Sequence, residues 1–206
     1  LSARRPLTFT LMATVAGAAL AGACGGGGSP TPSSCFVGDM TAAPELELVY
    51  RTTDGMAAPL ADGGEVPLLF APQGGFVLFV GARARNIDGC TLSASSALVD
   101  PATSAVLTFE RRPVTLAPTA DGWLEPSHPD QLSNYSNLPA CPLAGLTQAI
   151  DGVSYELQLQ VLDGMNRMAQ KTVTVTPTCA EPVHASQCQC QCAAGYVLGS
   201  ACPPPA

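Results

Sequence analysis

The chain has 206 residues, of which 47% are hydrophobic, 5% aromatic and 12% charged, and its formal net charge is −7. That length suits one domain with tails, and the scarcity of aromatics requires a core built from Val, Leu and Ala. The nine Lys and Arg are scattered, so no clustered basic stretch is available to neutralise phosphates, which argues against a nucleic-acid partner. Nine cysteines in a chain of this size point either to an oxidising compartment or to metal-bound thiolates in a reducing one.

Arg4 and Arg5 precede an uncharged stretch, residues 7–23, in which small residues accumulate towards the end. This is the layout of a secretory signal peptide. The rival reading, a spanning helix, requires about 20 strongly apolar residues, and this stretch is short and diluted by Thr, Gly and Ala. Its boundary, Leu20-Ala21-Gly22-Ala23-Cys24, resembles the lipobox of bacterial lipoproteins. In that family the chain is cleaved before the cysteine, which is diacylated on sulfur and acylated on its new amino group. Here Leu20 lies one place further from the cysteine than in the commonest pattern, and Ala21 takes the usual Leu position.

Gly25 to Gly28 and Ser29-Pro30-Thr31-Pro32-Ser33-Ser34 follow, a composition that behaves as a flexible tether. The resemblance thus implies a signal peptide over 1–23, and a lipidated Cys24 with its linker over 24–35. The implied partner is a membrane, held through the lipid anchor in the cell envelope. Gly25, where an aspartate retains such proteins at the inner membrane, favours the outer membrane. The alternative is a plain signal peptide whose first mature cysteine pairs with another. Setting Cys24 aside leaves Cys35, Cys90, Cys141, Cys179, Cys188, Cys190, Cys192 and Cys202, an even number that suits disulfides without giving their connectivity.

From residue 36 to 183 the pattern is that of strands. Residues 45–50, 154–162 and 171–176 alternate apolar with polar, and short apolar runs occupy 66–71 and 76–84 around the turn Pro72-Gln73-Gly74-Gly75. Further strands are expected over 92–99, 106–110 and 114–116. Period-2 alternation places one face in a core and the other in water. Six of the nine aspartates precede glycine: Asp54, Asp62, Asp88, Asp121, Asp151 and Asp163. Asp-Gly is turn chemistry; calcium loops, the alternative use for these carboxylates, gather several within one short segment.

An all-β, single antiparallel sandwich is expected. The hairpin of 154–162 and 171–177 resembles the closing hairpin of immunoglobulin-like and fibronectin-type sandwiches. Residues 118–142 read as a long, polar, Pro-rich loop. Such loops are often functional or covalently pinned, and Cys141 at its end suggests a bridge to Cys90. The loop holds Trp123, His128 and Tyr135, which are candidate contact residues because Trp and Tyr anchor interfaces. The rival role for Trp123 is to fold back and cap the core.

The tail, 184–206, carries Cys188-Gln-Cys190-Gln-Cys192-Ala-Ala-Gly195-Tyr196 and then Cys202. It is similar to the C-terminal half of an epidermal-growth-factor-like module, in which the C-x-C cysteines bond in opposite directions before a hairpin turned by the glycine-aromatic pair. The resemblance implies a Cys192–Cys202 bridge. A zinc or copper(I) thiolate site is the competing reading, and export argues against it.

The two histidines, His128 and His184, lie in Pro-containing segments without H-E-x-x-H, and the chain has no G-x-S-x-G and no phosphate loop flanked by a strand and a helix. No catalytic residues, metal or cofactor are therefore assigned. The expected function is a non-catalytic envelope lipoprotein that binds a protein or glycan or serves structurally. The alternative is an accessory lipoprotein of an envelope complex, or an enzyme of unrecognised type.

Overall fold

The computed structural model describes residues 34–126, 128 and 130–204. Cys24, the signal segment and most of the linker lie outside the described residues. In chain order the strands are β1 (Phe36–Val37), β2 (Glu45–Arg51), β3 (Ala57–Pro59), β4 (Gly64–Pro67), β5 (Leu69–Phe70), β6 (Phe76–Arg85) and β7 (Ile87–Asp88). They continue with β8 (Leu92–Val99), β9 (Val106–Val114), β10 (Ala117–Pro118), β11 (Leu124–Glu125), β12 (Ser136–Cys141), β13 (Tyr155–Asp163) and β14 (Met168–Thr178). One short helix, α1 (Ala185–Gln191), follows.

The chain folds as a two-sheet β-sandwich. One sheet runs β10-β11-β6-β2-β3, with β12 and β5 also paired to β6; the other runs β4-β14-β13-β8-β9. Its long strands, β2, β6 and β12 against β14, β13, β8 and β9, follow the strand order of an immunoglobulin-like fold. Tyr155 adds a local hallmark. Fully buried at the start of β13, it donates its hydroxyl hydrogen bond to the carbonyl of Ala149 at 2.6 Å. This is the tyrosine corner that turns the chain into the equivalent strand of such sandwiches. One pairing departs from the all-antiparallel expectation, since β4 runs parallel to β14.

The core follows from the alternation. Leu46 and Leu48 of β2, Leu78, Val80 and Ala82 of β6, and Leu157, Leu159 and Val161 of β13 all point inwards. Between the sheets the serine hydroxyls of Ser96 (β8) and Ser136 (β12) lie 2.6 Å apart. Ser136 also donates to Glu110 of β9, whose other oxygen accepts from Arg112 Nε at 2.6 Å. This chain satisfies two buried hydroxyls and ties β9 to β12.

Two expectations are corrected. Residues 118–142 are not a structureless loop, because they contain β11, a 3-10 turn (Leu132–Asn134) and β12. Proline 139 hides β12 in the sequence, yet β12 pairs only with β6, and an edge strand with a register shift beside Pro139 tolerates proline. The tail also departs from the half-module it resembles. Cys188 and Cys192 belong to the main core cluster, and the C-x-C run is helical instead of approaching a terminal hairpin.

Candidate functional site

All eight cysteines beyond Cys24 are paired: Cys35–Cys90, Cys141–Cys192, Cys179–Cys188 and Cys190–Cys202. The expected Cys90–Cys141 bridge is not formed. β1 pairs with β7, which brings Cys35 and Cys90 to a Cα–Cα distance of 5.2 Å, while Cys141 at the end of β12 meets α1. The implied Cys192–Cys202 bridge is corrected as well. Cys188 and Cys192 share one helix face, both buried, with their sulfurs 3.7 Å apart. Cys190, two residues from each, points to another side of the helix and reaches the tail. The C-x-C cysteines still bond in opposite directions, with the two roles exchanged. The sulfurs of Cys179, Cys188 and Cys192, and those of Cys35 and Cys90 beside Asp88, lie close enough to share an ion, but each is committed to a disulfide.

The six Asp-Gly aspartates act as acceptors in turns and loops. Asp62, Asp88, Asp151 and Asp163 accept backbone N–H groups of Thr174, Cys90, Cys179 and Met165 at 2.7–2.9 Å. Asp54 and Asp121 accept the hydroxyls of Thr52 and Thr119. Those hydroxyls hold both carboxyls below the ordinary carboxylate range, with Arg83 adding to the effect at Asp121.

The candidate contact residues separate. On the outer face of β6, Arg83 and Arg85 hold the Trp123 ring between their guanidinium groups, at 4.5 and 4.6 Å from the ring centre. Arg83 pairs in turn with Glu47 at 2.7 Å, with Asp121 and with Glu125 at 3.6 Å, and Arg85 with Glu45 at 2.6 Å. Trp123 is only 8% exposed. Tyr135 is fully buried in a second small core with Leu69, Ala71, Val77 and Phe79, and its ring lies over Gly81. Neither aromatic presents its ring to solvent, so the expectation of two exposed anchors is corrected: the segment that holds them folds down over the sheet. Trp123 does not cap the main core; it packs on the sheet's outer side. Only the His128 side chain is exposed, and its carbonyl accepts from Asn134 Nδ2 and the Gln131 N–H, both at 2.9 Å. His184 stacks on Phe70 with ring centres 4.3 Å apart. Among the described residues neither histidine side chain hydrogen-bonds a carboxylate or a hydroxyl.

The outer face of the five-stranded sheet is different. The register sets Phe109 (β9) beside Ala97 (β8), Ala97 beside Gln158 (β13) and Gln158 beside Thr172 (β14). Two residues along, Ser95, Gln160 and Gln170 form the next cross-strand row, with Arg111, outside the groove lining, at its β9 end. Together they line a shallow groove of ≈ 320 Å³ whose one charged lining residue is Lys171. Lys171 pairs with the inward Leu159 but is itself exposed on β14. Phe109 is 60% exposed, because the small Ala97 beside it leaves the ring uncovered. Gln160 reaches Met168 Sδ at 2.7 Å, and the polar side chains of Ser95, Gln158, Gln170 and Thr172 hydrogen-bond no other described residue. Sequence reasoning located these strands but missed the face, since alternating Gln and Thr read only as a wet strand side. A larger hollow of ≈ 670 Å³ beside β3 is lined by Glu47, Arg83 and Glu125, which are engaged with one another, and by Lys171.

Among the described residues no helix is long and apolar enough to cross a membrane. Comparison with known proteins finds no matching family model, no similar curated protein and no similar solved structure.

Proposed function

We propose that this chain is an exported, non-catalytic binding module of the cell envelope, tethered through a lipid on Cys24. It makes contact through the uncovered face of its five-stranded sheet. The observation that carries this reading is the closed pairing of the eight downstream cysteines. Four disulfides need an oxidising compartment, and none of those eight sulfurs is left to pair with Cys24. A cysteine at the end of an apolar export segment, followed by a Gly/Ser/Pro tether, is then positioned for acylation. Three acyl chains hold a protein at a membrane durably, where one gives only marginal binding.

Growth with an alkyne fatty acid tests the anchor. The wild-type protein should be labelled and recovered with membranes, and Cys24→Ser should lose both properties. Equal labelling of the variant would refute the anchor.

A further inference from the structure

We infer that the outer face of β9, β8, β13 and β14 binds a neutral polysaccharide, with Phe109 as the stacking ring and Gln158, Gln160, Gln170, Ser95 and Thr172 as hydrogen-bonding groups. The inference rests on the binding-module reading above and names the ligand class for the same face. Three features select this ligand. First, aromatic, Met and Arg anchors are not clustered at the centre of the face, as they are in a protein interface; Phe109, Arg111 and Met168 stand singly on β9 and β14. The face offers one exposed ring and a grid of amides and hydroxyls.

Second, each amide and hydroxyl both donates and accepts, as sugar hydroxyls do, and four of the five polar residues have no partner within the described chain. The apolar C–H face of a pyranose ring complements the open face of Phe109. Third, the face gathers no charge of one sign. Arg111 ends the Ser95 row on β9, and Glu156 precedes Gln158 on β13. A chain of net charge −7 repels a polyanion and leaves a neutral polymer unaffected.

Affinity electrophoresis tests this with the detergent-solubilised full chain in native gels containing neutral polysaccharides (glucans, mannans, galactans) or anionic alginate. At least one neutral polymer should retard the protein and alginate should not. Phe109→Ala and Gln160→Ala should each weaken retardation about tenfold with unchanged melting temperatures. No retardation by any neutral polymer, or retardation that survives both substitutions, overturns the inference. A photo-crosslinker at Gln158 on intact cells separates the two levels of the argument. A single protein adduct there, without polysaccharide retardation, overturns the glycan assignment and leaves the face as a contact surface. Neither adduct nor retardation removes the face from the proposed function as well.

Discussion

The outer faces of the two sheets have opposite fates. On the sheet built around β6, residues 118–142 fold back so that Tyr135 is buried against Phe79 and Val77. Arg83 and Arg85 are occupied by Trp123 and by four carboxylates, those of Glu45, Glu47, Asp121 and Glu125. On the five-stranded sheet the equivalent surface carries Phe109 and a set of amides with no other described residue laid over them. The contrast shows that aromatic content alone does not locate a binding surface. The rarest aromatic residues of this chain are consumed in holding a crossing segment to its sheet, and the exposed ring is a phenylalanine on a strand.

The sharpest way to break this comparison is to truncate an aromatic on each side. Tyr135→Ala and Trp123→Ala should each cost about 3–5 kcal/mol, read as a lowered urea midpoint. Phe109→Ala should stay within about 0.5 kcal/mol of wild type. Comparable losses on both faces would show that the bare face is structural too. Gly81 gives a second handle of smaller size. A Cβ there would lie 2.9 Å from Val49 Cγ2 and 3.0 Å from the Tyr135 ring. Gly81→Val should therefore destabilise by about 1–3 kcal/mol through overpacking, and full tolerance would mean that Tyr135 does not rest on β6.

Tyr135 also carries a test with the opposite sign. Its buried hydroxyl has no hydrogen-bond partner among the described residues, and an unsatisfied buried polar group costs stability. Tyr135→Phe should raise stability by about 1 kcal/mol, and a loss would reveal a partner for the hydroxyl. Alkaline titration sharpens the same point. Burial pushes the phenols of Tyr135 and Tyr155 above the ordinary tyrosine range. The folded state thus favours the neutral forms, and this stabilisation is complete below about pH 10, the unfolded value. It is lost as pH rises through the raised folded values. Phenolate absorbance from these two residues should appear only together with loss of near-ultraviolet circular dichroism.

The fold was legible where strands alternate cleanly. Residues 154–162 and 171–177 were expected, and β13 and β14 span Tyr155–Asp163 and Met168–Thr178. β12 was not, because Ser-Asn-Leu-Pro-Ala-Cys has neither alternation nor β-branched residues, and its strand state comes from pairing with β6. The burial of Trp123 and Tyr135 was hidden for the same reason: it depends on arginines and a glycine some 40 to 55 residues earlier. An even cysteine count suggested disulfides, whereas their partners follow from a two-residue strand pairing and a seven-residue helix. Such short elements leave almost no pattern to read.

The measurement closest to the centre of this account is peptide mapping by mass spectrometry of the unreduced protein taken from its own cells. The account predicts linked peptides for Cys35–Cys90, Cys141–Cys192, Cys179–Cys188 and Cys190–Cys202. It also predicts a mature N-terminus at Cys24 carrying three acyl chains. Cys24 found in a disulfide, or a mature chain that begins elsewhere without lipid, would contradict it.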